Sequence, residues 1–284
     1  MNRDGPGGRA GIRHGQGTDR GLKRQLNEDS LFVADALFAV ADGMGGHEAG
    51  EVASRLCVET LAAGYRKAAG RLDAEAIHVL LRAADEAIAA GAPRGAGTTI
   101  SGAAVIERDS GLHWLVFNVG DSRTYRLSDG LLEQVTVDHS EVQQLVERGV
   151  IGVDQMAAHP RRHVITRALG AGGDGRADFW LLPIRPGDRL LICSDGLSTE
   201  LSDASLRDTM TRFPDPQQAA DELIAAALGR GGRDNISVII ADAMGLEADE
   251  MLDTVPRPIR PAMQTKTQPT AVAGGATAPM EEKS

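Results

Sequence analysis

Apolar residues fall in short unbroken runs along some stretches of this chain and at helical spacing along others. The run Leu37-Phe38-Ala39-Val40-Ala41 is too short for a globular helix and reads as a strand, with 31–33 before it as the other half of a hairpin. Residues 98–106, 113–119, 124–127, 178–183, 189–194 and 236–241 also read as strands. Turns fall at Asp109-Ser110-Gly111, Gly120-Asp121-Ser122, Asp129-Gly130 and Pro186-Gly187. Val52, Leu56, Val58, Leu61 and Ala62 give helical spacing over 47–67, and Ile77, Leu80, Leu81, Ala84 and Ile88 do so over 73–90. Shorter helices are expected at 140–148, 203–211 and 215–228, and 149–162 reads as irregular. Strands in runs and helices in pairs, without regular βαβ alternation, predict an α+β fold with antiparallel sheet.

The two ends lack these patterns. Residues 1–10 are Gly-rich, and 246–284 mix Pro, Thr, Gln, Ala and Gly. Neither can bury enough apolar surface to offset its ordering entropy, so both are expected to be disordered, leaving one folded domain over 11–245. Acids outnumber bases 40 to 30, for a net charge of −10, and no basic stripe offers phosphate neutralisation. A nucleic-acid role is disfavoured. Cys57 and Cys193 lie in apolar surroundings and read as buried free thiols. No apolar run approaches the roughly 18 residues of a membrane span, and the N-terminus shows no signal-peptide core, so a cytoplasmic protein is expected.

Candidate chemistry sits at the strand ends. The strand at 37–41 runs into Asp42-Gly43-Met44-Gly45-Gly46, where glycine lets backbone approach whatever the carboxylate holds. Alone, this stretch reads as an ordinary turn. Asp195-Gly196, however, follows a second apolar strand, and Asp234 precedes a third. Carboxylates at three strand ends, far apart in sequence, suit a shared hard cation such as Mg²⁺ or Mn²⁺.

Taken in order, the motifs resemble the metal-dependent PPM/PP2C family of protein serine/threonine phosphatases, bacterial type. They are Arg24 with Asn27-Glu28-Asp29, Asp42-Gly43-Met44-Gly45-Gly46, Gly97-Thr98-Thr99, Asn118-Val119-Gly120-Asp121-Ser122-Arg123, Asp138-His139-Ser140, His159-Pro160, Ile165-Thr166-Arg167-Ala168-Leu169-Gly170, Ser194-Asp195-Gly196-Leu197 and Asp234-Asn235-Ile236-Ser237. Each is weak alone, but the ordered set is specific. The resemblance implies a four-layer α-β-β-α sandwich of two antiparallel sheets flanked by helix pairs. It also implies a flap at about 137–162 beside a metal cleft.

By the same resemblance Asp42 bridges two divalent ions, Asp195 and Asp234 complete one of them, and the Gly43 carbonyl helps hold the other. Glu28 and Asp29 act through metal-bound water, and Arg24 grips the substrate phosphate, where a guanidinium can engage two oxygens at once. A hydroxide bridging the two ions would attack phosphorus in line. Asp121 has two readings: a ligand of a third, weaker ion shared with Asp195, or a carboxylate capping its own turn. Arg123 reads as pairing with an acid inside the fold, and His139 and His159 as structural hydrogen-bonding residues. Two departures stand out. Met44 occupies the place where many eukaryotic members carry a His that can protonate the leaving group, and Thr199 stands where relatives often carry another metal-binding Asp. The implied activity is hydrolysis of phosphoserine and phosphothreonine in proteins, by a monomer opposing a cognate Ser/Thr kinase. A catalytically dead binding module and a hydrolase of small phosphate esters or nucleotides are the competing readings.

Overall fold

The computed structural model describes residues 11–45, 49–69, 72–108, 110–172 and 175–244. One antiparallel sheet has the order β1 (Ile12–Asp19), β11 (Ile236–Ala243), β10 (Arg189–Cys193), β7 (Arg123–Ser128), β8 (Leu131–Gln134). The other runs β2 (Asp29–Ala34), β3 (Leu37–Met44), β5 (Ile100–Arg108), β6 (Gly111–Val119), β9 (Asp178–Pro183), with the short β4 (Gly97–Thr98) paired to the end of β3.

The unbroken apolar runs arise because the central strands are covered on both faces. In β3, Leu37, Ala39 and Ala41 face one core while Phe38 and Val40 face another. The core between the sheets joins Phe38, Trp114 and Val116 to Leu190, Ile192 and Ile239. On the outer face of the β3 sheet lie α1 (Ala49–Lys67) and α2 (Ala74–Gly91), which bury Ala53, Cys57, Leu61, Ile77, Leu81 and Ile88. Beyond the other sheet lie α4 (Asp195–Glu200), α5 (Asp203–Arg212) and α6 (Pro216–Arg230), with Leu197, Leu206 and Leu223 inward. The expected four-layer sandwich is therefore present. One further helix, α3 (Glu141–Glu147), lies outside those layers.

The helix starts follow capping chemistry. The Asp73 carboxylate accepts from Ala76 N–H at 2.8 Å, and that of Asp215 accepts from Gln218 N–H at 2.9 Å, with Pro216 in the first turn. Cys57 and Cys193 are free and buried, as expected, and burial pushes both thiols up to about 12.

Three elements had no sequence signal. The segment forming β1 is polar and Gly-containing, yet it pairs along its length with β11. Its glycines are needed for α6: a Cβ on Gly17 would lie 2.6 Å from Ile224 Cδ1, and one on Gly15 would enter the Pro216–Gln217 backbone. β8 is a four-residue edge strand, and α4 is a six-residue helix that begins on Asp195 itself. The expectations for 1–10, for 246–284 and for a helix start at His47 lie outside the described residues.

Gly102, in the middle of β5, admits no side chain. A Cβ there would stand 2.6 Å from the Phe38 carbonyl oxygen and against the Phe117 ring. Gly102→Ala should cost about 1–3 kcal/mol, read as a lower urea midpoint at unchanged slope; an unshifted midpoint would show that the strands yield freely.

Candidate active site

The strand pairing gathers the acidic residues at one end of both sheets. Asp29 opens β2 directly opposite Asp42 near the end of β3. Asp121 lies in the turn from β6 to β7, Asp195 follows β10 and Asp234 precedes β11. Because neighbouring strands are antiparallel, these starts and ends fall on the same side.

Small polar side chains fix the backbone that carries them. The Asp42 carbonyl accepts from Thr99 N–H and from the Thr98 hydroxyl, both at 2.9 Å, while Asp42 N–H donates to Thr99 Oγ1 at 3.3 Å. The Thr99 hydroxyl also meets Ser122 Oγ at 2.7 Å, linking the Asp42 strand to the Asp121 turn. Gly43 N–H donates to the Glu28 carbonyl at 3.1 Å, and a Cβ on Gly43 would lie 2.6 Å from that oxygen. Ser194 Oγ donates to Asp29 Oδ2 at 2.8 Å. Asn235 ties down the loop that carries Arg24: its Oδ1 accepts from Glu28 N–H, and its Nδ2 donates to the carbonyls of Arg20 and Leu26, each at 2.9 Å.

The carboxyl groups raise one another's proton affinity. Burial, then the charges of Asp29, Asp195, Asp121 and Asp234, hold Asp42 well above the carboxylate range. Asp29 is pushed up to about 7, chiefly by burial and against its bonds from Ser237 and Ser194. Burial and then Asp195 and Asp138 raise Asp121 to about 8. Burial and then Asp234 raise Asp195 to about 6, and its carboxyl is within hydrogen-bonding reach of Asp42. Glu28 is raised as well, first by burial.

One nearby cation is Arg24, whose guanidinium donates to Asp234 Oδ2 at 2.7 Å. Among the described residues no three His, Cys, Asp or Glu side chains close into a ready ligand shell. The donor set nevertheless fits a hard divalent cation: it is all oxygen, its charges oppose one another, and Glu28 Oε1 and Asp29 Oδ1 are buried without a hydrogen-bond partner.

A cavity of about 460 Å³ opens beside Asp121 and Asp195, and Val142, Val146, Val153 and Met156 of the 140–165 excursion line its other wall. The expected flap is thus an excursion that includes α3, and its roots meet where Ser140 bridges Ile165. Thr199 lines the same cavity. Arg123 pairs inside the fold as expected, gripping Asp138 with Nη2 at 2.6 Å and Nε at 2.9 Å. His159 is used locally, accepting from Arg161 N–H at 3.2 Å. The sequence reading passed over His163, which lines the cavity and sits near enough to Asp195 to lower its proton affinity. It lies in an irregular stretch where spacing gives no cue.

The shifts have a consequence for the metal-free chain. Unfolded aspartates titrate near 3.9, whereas folded Asp195, Asp29 and Asp121 titrate at about 6, 7 and 8. The folded chain therefore holds extra protons across this window, and its stability falls as pH rises through it. In chelator the melting temperature should decline from about pH 5 to about pH 8, and divalent cation should restore it at the upper end; a rise over that window in chelator would contradict the assignment.

The sequence profile of protein phosphatase 2C matches residues 16–228. The serine/threonine protein phosphatase PstP of Mycobacterium tuberculosis is 37% identical over 278 residues, covering 96% of this chain and 53% of its own length. The chain thus spans about half of that relative. The serine/threonine phosphatase Stp of Listeria welshimeri is 35% identical over 239 residues, with 79% of this chain and 93% of Stp covered. The crystal structure of the PstP catalytic domain in complex with two manganese ions superposes with a TM-score of 0.72 at 36% identity, covering 82% of this chain and 99% of that one. The shared fold carries the shared motifs, and the chain belongs to the protein phosphatase 2C family.

Proposed function

We propose that the chain is a metal-dependent phosphatase that hydrolyses phosphoserine and phosphothreonine in proteins. The observation that carries this reading is the meeting of Asp29, Asp42, Asp121, Asp195 and Asp234 at one end of the sandwich, with Arg24 at its edge. The names of the relatives PstP and Stp support the substrate class, and the two manganese ions of the PstP complex support the cofactor.

In this reading Asp42 would be a ligand common to two ions, Asp195 and Asp234 would help hold one of them, and the Gly43 carbonyl would help hold the other. Glu28 and Asp29, whose Oε1 and Oδ1 are buried without a partner, would act on the ions through water. Bound Mn²⁺ or Mg²⁺ would supply an activated water and offset charge on the phosphoryl oxygens. Asp121 and Asp195 are the pair for a third, weaker ion. Arg24, half exposed and already aimed inward, would exchange Asp234 for two phosphoryl oxygens of the substrate. Thr98, Thr99 and Asn235 keep these groups in place through backbone. The catalytic domain is placed at 11–245, acting as a monomer in the cytoplasm against a cognate Ser/Thr kinase. No helix among the described residues is long and apolar enough to cross a membrane.

The test compares p-nitrophenyl phosphate, a phosphothreonine peptide and a nucleotide, each with and without Mn²⁺. Turnover of the peptide that disappears in chelator and returns with Mn²⁺ is expected. Turnover of the nucleotide alone would favour a small-ester hydrolase, and no turnover a binding module. Asp42→Asn should lower peptide turnover at least about a hundredfold, since even outer groups around a metal cost 10–100-fold. Activity within a few fold of the parent at saturating Mn²⁺ would refute the place given to Asp42.

A further inference from the structure

The Gly120 backbone, in the turn that carries Asp121, is held by one residue from elsewhere in the chain. Gly120 has φ +107°, and a Cβ there would lie 2.5 Å from Thr99 Cβ. Both polar groups of its backbone go to His139. Gly120 N–H donates to His139 Nδ1 at 3.1 Å, and the Gly120 carbonyl accepts from His139 N–H at 2.8 Å. That carbonyl takes a second bond from Asn118 Nδ2 at 3.0 Å. His139 itself is only 6% exposed.

An Nδ1 that accepts fixes the tautomer, so the ring proton sits on Nε2. Nε2–H then donates to Asp178 Oδ2 at 3.1 Å. Arg167 Nη1 lies 3.3 Å from the same nitrogen but finds no lone pair there; it donates instead to Asp178 Oδ1 at 3.1 Å. Asp178 in turn is paired in register with Asn118 across β6 and β9. The turn, the ring and the carboxylate form one closed network.

His139 also stands at the root of the flap. Its carbonyl accepts from Thr166 N–H at 2.7 Å, and the next residue, Ser140, bridges Ile165 and caps α3 through Gln143 N–H at 3.3 Å. Glu141 N–H donates to the Val164 carbonyl at 2.9 Å. The chain enters and leaves the excursion beside this one residue.

We propose that His139 is a positioning residue that acts through Gly120: it aims the Asp121 carboxylate toward Asp195 and ties that aim to the root of the flap. This rests on the reading of Asp121 and Asp195 as the holders of a weak third ion. In this role His139 acts on the turn and is not itself a ligand of substrate or ion. Its effect is to keep a weak carboxylate site formed, alongside the bonds that Asn118 and the Thr99–Ser122 contact give the turn.

The side chains that can replace His139 separate this role from a general structural one. Asn places an oxygen about where Nδ1 lies, so it can still accept from Gly120, though it loses Asp178. Gln reaches toward the Nε2 position, so it can still meet Asp178 but leaves Gly120 N–H without its acceptor. Calorimetric Mn²⁺ titration of the full chain, with melting in chelator, is run on the parent and on His139→Asn, His139→Gln, His139→Ala and Asp121→Ala. His139→Gln and His139→Ala should keep the tight ions and weaken the weakest site about tenfold or more, while His139→Asn stays within about threefold of the parent. A weak site unchanged in His139→Gln, or lost equally in Asn and Gln, overturns the proposal, because a merely structural role would lower both melting temperatures and leave the weak site alone or remove it alike. If Gln does not fold, the Asn and Ala variants carry the same contrast. Asp121→Ala that loses the weak ion while His139→Gln keeps it rejects His139 alone; Asp121→Ala with the parent's number of ions rejects the third-ion reading, and the proposal with it.

Discussion

Repulsion among Asp29, Asp42, Asp121, Asp195 and Asp234 is the constraint around which this end of the molecule is arranged. Asp29, Asp42, Asp121 and Asp195 are drawn away from water and set near others of the same charge. In a medium of low dielectric such a group must gain a proton or find a cation. Arg24 offsets part of the charge at Asp234, and Arg123 is spent on Asp138. A divalent cation is the counter-charge that suits a donor set made only of oxygens, and the repulsion that destabilises the metal-free chain becomes the affinity of the loaded one.

The sandwich supplies the rigidity this requires. The carboxylates sit at the ends of strands whose middles are buried on both faces, so the sheet cannot relax them apart without disturbing the core. Neutral groups then fasten them, by the backbone through Thr98 and Thr99 at Asp42, Asn235 beneath Glu28 and His139 at Gly120, and by the carboxylate itself through Ser194 at Asp29. None of these adds charge to a place already crowded with it.

How much of this could be read from the sequence follows from the range of the forces involved. The apolar strands and the carboxylates at their ends were legible because burial on both faces writes an unbroken run, and a strand end is a local feature. The longer helices were legible from their apolar spacing, with starts near Asp73, Ser140 and Asp215; that these three residues cap the helices emerged only with the structure. β1 was not, because its strand character comes from β11 and from an α6 that needs glycine beneath it, contacts about 200 residues away. The acid that pairs with Arg123 was foreseen but not its identity as Asp138. His139 was read as structural without its partner, since nothing local says that its ring meets Gly120. Asp195 was read as a strand end, and it is also the first residue of a helix.

The central claim is that these carboxylates hold divalent ions with Asp42 between them. Crystals grown with Mn²⁺ and measured at the manganese absorption edge test it most directly. The account predicts two strong anomalous peaks that both fall within ligand distance of Asp42, one of them also beside Asp195 and Asp234. Manganese found elsewhere on the chain, or Asp42 turned away from every peak, would contradict it.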